Sequence, residues 1–171
     1  MKKLIIILSY LIFSISSNAQ IQKAELVATG LTCSMCSNAI YKKLTAIKGV
    51  DSVAIDLNEN LFTIFLAKDS KVKPSELKES VEKAGFFVGS LILTFPKENF
   101  TQYYRTELRT ENVTYILMNQ QFEIVGNTIQ VRIMDKGYVT SKEYKKYTNK
   151  KLQYMSKVTN SGELYHVNPI N

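Results

Sequence analysis

The chain has 171 residues, a formal net charge of +7 and a hydrophobic content of 45%, which suits a globular protein with an adequate core. Residues 97–171 carry eleven Lys/Arg against seven Asp/Glu, whereas residues 21–93 carry nine against eight. Because the basic residues are dispersed, they indicate a solvated surface, and we expect no nucleic-acid partner. With one histidine the chain suggests no Ser/His/Asp triad, and we expect that the protein is not an enzyme.

Residues 1–19 have the pattern of a cleaved signal peptide. Lys2 and Lys3 form a short basic start, residues 4–13 are nearly all apolar, and small and polar residues then lead to Ala19. The alternative is an uncleaved membrane anchor, but the apolar run is shorter than the roughly 20 residues that a span needs. We therefore expect an exported protein, in a periplasm or secreted, with no membrane span after cleavage.

Both cysteines, Cys33 and Cys36, lie in the stretch GLTCSMCSNA at residues 30–39. Two cysteines in an exported chain suggest a disulfide. A cross-link between residues this close stabilises little, because the loop that it closes is very small. The spacing therefore favours chemistry at the sulfur atoms, as a redox pair or a metal clamp, over a structural disulfide.

Two amphipathic helices are predicted in residues 21–93. The first follows the cysteine loop, with apolar residues at helical spacing from Cys36 onward, and Gly49 closes it. The second begins at Pro74, a residue suited to the first helical position, and Gly85 ends it.

Four strands are predicted around these helices. Alternation places Val53, Ile55 and Leu57 inward in the second strand. The order βαββαβ predicts an α+β, ferredoxin-like domain in which both helices cover one face of an antiparallel sheet. The predicted strands are residues 23–29, 52–57, 61–67 and 86–95.

The stretch GLTCSMCSNAIYKKLTAIKGVDSVAIDL and the later KAGF resemble the heavy-metal-associated domain family over residues 21–93. The family pattern has a Gly-Met-Thr-Cys-x-x-Cys loop, a helix ending in a Gly-Val step, and Gly-Tyr or Gly-Phe before the last strand. The resemblance implies that Cys33 and Cys36 bind a metal ion and that Phe86 shields the metal loop. Leu31 stands where the family usually has Met, and Leu can anchor the loop in the core in the same way.

The two sulfur atoms suit a soft metal ion. The start of a helix stabilises a thiolate, and Cys36 is predicted to lie in the first helical turn. Thiolates favour Cu(I), which accepts two sulfur ligands, whereas Zn²⁺ prefers four ligands and the chain offers two Cys and one His. Hg(II), another soft ion, and a metal-bridged homodimer remain alternatives. The resemblance implies exchange of the metal with a donor or acceptor protein, such as a copper-transporting ATPase or an efflux component.

Three other residues receive weaker predictions. We expect Met35 to face solvent, Thr32 to hydrogen-bond the loop backbone, and His166 to be a surface histidine. Metal ligation by Met35 or by His166 is the less favoured alternative.

Residues 97–171 are predicted to form a second small α+β region, to which the sequence assigns no function. Helical spacing relates Phe100 to Leu108, and Ser141 is expected to cap a helix that runs to residue 152. The predicted strands are residues 112–118, 128–134, 152–158 and 163–167.

The last strand of the first domain predicts an interface, because it is apolar on both sides. One side is predicted to carry Phe86, Val88 and Ile92. The other side is predicted to carry Phe87, Leu91 and Leu93. Phe65, on a neighbouring strand, would also face away from the helices. Since an open sheet face is normally polar, we expect residues 97–171, or a second copy of the chain, to cover it.

The favoured function is an exported soft-metal-binding protein that binds and hands over Cu(I) through Cys33 and Cys36. One alternative is periplasmic mercuric-ion binding, and another is a binding module whose main role lies in residues 97–171. A third is a thiol–disulfide oxidoreductase, but such enzymes commonly have an aromatic before the first cysteine and a cis-proline facing it. Here Thr32 precedes Cys33, and Pro74 is predicted to start a helix.

Overall fold

The computed structural model describes residues 20–32, 34–97, 107–110, 113–119, 126–148 and 162–170. The predicted signal peptide and the predicted strand at residues 152–158 lie outside these ranges. No helix in the described ranges is both long enough and apolar enough to cross a bilayer.

The first six elements form the predicted ferredoxin-like unit. Its sheet is antiparallel with the strand order β2-β3-β1-β4. In chain order the elements are β1 Lys23–Thr29, α1 Ser34–Thr45, β2 Val50–Asp56, β3 Leu61–Leu66, α2 Pro74–Glu82 and β4 Phe87–Pro96. The predicted βαββαβ order is therefore confirmed.

Both helices bury one apolar stripe against the same core. Ile40 and Leu44 of α1, and Leu77 and Val81 of α2, are fully buried. Pro74 occupies the start of α2, as predicted, where its missing N–H has no helical acceptor to lose. The spacing of three or four residues thus sets the face that each helix turns to the sheet.

The described strands of the second half extend the same sheet. The described elements are β5 Glu107–Arg109, β6 Val113–Leu117, β7 Thr128–Ile133, α3 Ser141–Thr148 and β8 Glu163–Ile170. Strand β7 pairs with β4 in antiparallel fashion, and the eight strands are ordered β2-β3-β1-β4-β7-β8-β6-β5. Strands β6 and β8 form a parallel pair.

For the described strands, the prediction that the second half covers the open face is wrong. These strands join the edge of β4 instead, and Phe65 on the open face remains 43% exposed. Pairing with β7 satisfies the backbone groups that an edge strand would leave unpaired. Coverage of the open face by a second copy stays a prediction.

A bulge in β4 interrupts its alternation. The pairing with β1 changes register between Val27 and Ala28, whose partners are Ser90 and Val88, so Gly89 is passed over. A Cβ on Gly89 would lie 2.6 Å from the Thr29 methyl carbon, which explains glycine at this position.

Because of the bulge, the predicted grouping of Phe86, Val88 and Ile92 is wrong. Val88 shares the buried face with Leu91 and Leu93. Ile92 lies on the other face, since one extra residue reverses the alternation that follows it.

Three further local predictions need correction. Leu57 is 56% exposed, because β2 ends at Asp56 and the chain turns there. Leu108 lies in strand β5 and not in a helix, while its predicted partner Phe100 lies outside the described residues. Helix α3 is capped by Thr140, one residue before the predicted Ser141: the Thr140 hydroxyl accepts from the Glu143 N–H at 3.3 Å.

Two packed layers flank the extended sheet. The larger core holds buried side chains from both halves of the chain, including Phe62, Phe95, Tyr115 and Val131. On the opposite face, α3 covers β7, and the Arg132 guanidinium lies 3.2 Å from the Glu143 carboxylate. A second cluster, which we call the methionine cluster, lies on that face and consists of Met118, Met134 and Val139 with Tyr144 and Tyr147 packed against it.

Candidate metal centre

The loop between β1 and α1 begins at Gly30, which has a φ of +89° that L side chains rarely adopt. Just before it, the Thr29 hydroxyl donates a hydrogen bond to the Phe87 carbonyl at 3.3 Å. The start of the predicted metal loop is therefore held next to the start of β4.

Two apolar side chains support this loop from below. Leu31 is half-buried and packs against the main core, as predicted for a loop anchor. Phe86 is also half-buried, and a Cβ on Gly30 would lie 3.9 Å from its ring. The ring thus lies beside the loop, in a position from which it can shield a bound ion.

Cys36 lies in the first turn of α1, as predicted, and is half-buried. The next residue, Ser37, is buried, so the backbone on this side of the helix is fixed against the core. Cys33 falls outside the described residues, and the prediction that both sulfur atoms bind one ion stays a prediction.

The remaining loop residues lie toward solvent. Met35 is 81% exposed, which confirms its predicted orientation. Thr32 is exposed, and its predicted hydrogen bond to the loop backbone stays a prediction.

The position of Cys36 has a chemical consequence. The N–H groups in the first turn of a helix have no helical acceptor, and their partial positive charge stabilises a thiolate. In the described ranges no group of three or more His, Cys, Asp or Glu side chains gathers to hold a metal ion.

His166 differs from its prediction as a surface histidine. It is 8% exposed and lies opposite Met134, which is also buried. Its ring Nδ1 is 2.8 Å from one carboxylate oxygen of Asp135, and its backbone N–H donates to the other at 2.6 Å. Sequence reasoning missed this pair, since the only signal was a histidine between two inward-facing residues of a strand.

The sequence comparisons agree with this geometry. The heavy-metal-associated domain model matches residues 26–87, which run from β1 into the first residue of β4. The copper chaperone CopZ of Staphylococcus epidermidis is 36% identical over 59 residues, which is 34% of this chain and 85% of CopZ. The chain belongs to the heavy-metal-associated domain family. Its heavy-metal-associated domain is the unit that carries the Cys33-x-x-Cys36 loop.

Larger proteins contain a similar domain. The copper-exporting P-type ATPase of Bacillus subtilis is 36% identical over 66 residues, which is 38% of this chain but only 8% of the ATPase. Among solved structures, the yeast copper transporter domain Ccc2a is 35% identical, with 38% of this chain and 88% of that domain covered and a TM-score of 0.35.

Proposed function

We propose that the protein binds Cu(I) through the thiolates of Cys33 and Cys36 and hands the ion to another protein. The observation that carries this proposal is the place of the C-x-x-C motif: it leads into the first turn of α1 in a heavy-metal-associated domain. Relatives of that domain are a copper chaperone and a copper-exporting ATPase.

The chemistry of the pair supports Cu(I). Two thiolates are soft donors, and a two-coordinate ion remains open to a third ligand. A cysteine of a partner can join the ion and then displace Cys33 or Cys36, so that the ion changes protein without entering solution. The partner would be a metal donor or acceptor, such as a copper-transporting ATPase or an efflux component. The protein itself would carry the ion without catalysing a reaction.

Export is part of the proposal. The basic start, apolar run and Ala19 of residues 1–19 support cleavage and release into a periplasm or the exterior. There, the protein would carry copper outside the cytoplasm.

The test is a Cu(I) titration under reducing, anaerobic conditions with a competing chelator. The wild-type chain should take up its tightest equivalent at the thiolates, and the Cys33→Ser/Cys36→Ser variant should lose that step. Met35→Leu is the matched control, because it removes an exposed sulfur from the same loop. Equal affinity of the double variant and the wild type would refute the proposal, and tighter binding of Hg(II) with no transfer of Cu(I) would favour mercury.

A further inference from the structure

The ring of His166 has one nitrogen without a hydrogen-bond partner among the described residues. That atom, Nε2, is buried. The other nitrogen, Nδ1, faces the Asp135 carboxylate at 2.8 Å. Since an ionised carboxylate only accepts hydrogen bonds, Nδ1 carries the proton, and in the neutral ring Nε2 presents a lone pair.

Asp135 holds this ring in one orientation. One carboxylate oxygen accepts a hydrogen bond from the backbone N–H of His166, and the other accepts from the ring. The Asp135 side chain therefore binds His166 through two hydrogen bonds. A histidine that binds a metal ion commonly donates its other N–H to a carboxylate, which fixes its tautomer. The pair therefore has the arrangement of a metal-binding imidazole and its supporting group.

The sheet register places two thioethers beside this ring. Met134 lies directly opposite His166, because its N–H donates to the His166 carbonyl at 2.8 Å. On the other edge of β8, Ile116 of β6 pairs with His166, and Met118 follows Ile116 by two residues. Side chains that are directly opposite or diagonal on one sheet face are within reach of one another.

The methionine side chains also meet each other. Met118 and Met134 belong to the methionine cluster, where they are 7% and 1% exposed. Tyr144 and Tyr147 of α3 pack over them. The strand register therefore places the ring of His166 next to a small buried cluster that contains two sulfur atoms.

We propose that His166 Nε2 and the thioethers of Met118 and Met134 form a second metal site, which takes Cu(I). Thioethers are soft donors that select Cu(I), and imidazole is also a good copper ligand. Zn²⁺ is disfavoured, because it prefers thiolate, imidazole and carboxylate ligands in a closed tetrahedron. The cationic Arg132, two residues before Met134, is offset by Glu143 at 3.2 Å.

This site differs from the thiolate loop in its redox chemistry. A Cys33–Cys36 disulfide cannot bind copper, whereas thioethers and imidazole form no disulfide. The second site would hold Cu(I) more weakly than two thiolates, and it would remain available when the cysteines are oxidised.

The test uses the full chain with Cys33→Ser and Cys36→Ser, titrated anaerobically with Cu(I). We expect this chain to take up one equivalent, with a lower affinity than the thiolates of the wild type have. Since the chain has a single histidine, its Nε2 resonance in a ¹⁵N NMR spectrum is unambiguous and should shift during the titration. Adding Met118→Leu and Met134→Leu should lower the affinity by roughly tenfold or more, because two of the three donors are removed.

Two variants control for structure. Met35→Leu in the same cysteine-free chain removes an exposed thioether and should change nothing. Asp135→Asn should lower the affinity while leaving both methionines in place, because an amide can donate to Nδ1 and so reverse the tautomer. The proposal is overturned if the cysteine-free chain binds no Cu(I), or if it binds Cu(I) with an unchanged His166 resonance. Neither result would bear on binding by the thiolates, which this variant lacks.

Discussion

The hydroxyl of Ser75, in the first turn of α2, donates a hydrogen bond to the Glu163 carboxylate at the start of β8 over 2.7 Å. The two residues are 88 positions apart in the chain. The same carboxylate accepts from the Tyr165 hydroxyl at 2.6 Å and lies 3.7 Å from the Lys73 ammonium. This junction joins the metal-binding domain to the second half away from the cysteine loop.

Replacing Glu163 with Ala should destabilise the whole chain by roughly 1–3 kcal/mol, because the part-buried hydroxyls of Ser75 and Tyr165 lose their acceptor. Chemical denaturation followed by circular dichroism measures this change. Glu79→Ala is the control, since its ion pair with Lys83 is exposed to solvent and should contribute little to stability. Equal effects of the two variants would show that the junction does not stabilise the fold.

Alkaline pH should weaken the same region. Burial raises the pKa of Tyr138 to about 12, and its hydroxyl is 3.1 Å from that of Tyr165, whose pKa burial also raises. Unfolded tyrosine titrates near a pKa of about 10, so above that pH the folded chain retains phenolic protons that the unfolded chain releases. The free energy of unfolding should therefore be unaffected by these groups below about pH 10 and should fall between about pH 10 and 12.

Denaturation curves at several pH values test this dependence, with Tyr138→Phe for comparison. The variant lacks one of the titrating groups, so its stability should fall less steeply above about pH 10. The same slope in both proteins would count against the proposed burial of the Tyr138 hydroxyl.

Separating the two halves should expose the edge of β4. A fragment of residues 20–97 loses β7, whose pairing covers β4 from Ile92 to Pro96. We expect this fragment to unfold more readily than the full chain and to self-associate through the freed edge. Analytical ultracentrifugation and thermal melts would show it, and a monomeric fragment as stable as the full chain would contradict the shared sheet.

The open face of the sheet, which carries Phe65, should tolerate a charged side chain. Because Phe65 is 43% exposed, Phe65→Lys in the full chain should change stability by less than about 0.5 kcal/mol. Phe62→Lys on the same strand, where the side chain is fully buried, should prevent folding. A large loss of stability in Phe65→Lys would instead indicate that a second copy covers this face.

Local sequence features made much of the first domain predictable. Pro74 begins α2, because proline is tolerated in the first turn of a helix but not in its interior. Gly85, with a φ of +91°, follows the end of α2, because few other residues adopt that conformation. Alternation in β3 identified Phe62 and Ile64 as core residues. The motif around Cys36 identified the start of α1, since local sequence decides these features.

Long-range features were not predictable in this way. The pairing of β4 with β7 depends on which strands meet, and the pattern of either strand alone does not specify its neighbour. The burial of His166 depends on tertiary packing around its strand, so a histidine that alternation placed on the outer face is enclosed. The bulge at Gly89 changed the face of every later residue in β4, although the glycine itself was visible in the sequence.

Oxidation should control the metal loop. In air the two thiols of Cys33 and Cys36 can each lose a hydrogen to an oxidant and form a disulfide, which cannot bind copper until it is reduced. Mass spectrometry without reductant should show the chain two hydrogens lighter than the reduced form, and thiol titration should find no free thiol. Free thiols with full copper occupancy in aerated protein would contradict this prediction.

X-ray absorption at the copper edge tests the central claim most directly. The reduced chain is loaded anaerobically with one equivalent of Cu(I), which the stronger thiolate ligands of Cys33 and Cys36 should take first. We predict a shell of two sulfur atoms, which Cys33→Ser/Cys36→Ser replaces with a nitrogen-containing shell. A wild-type shell that already contains nitrogen, or that is identical in the double variant, would show that the cysteine pair does not hold the metal.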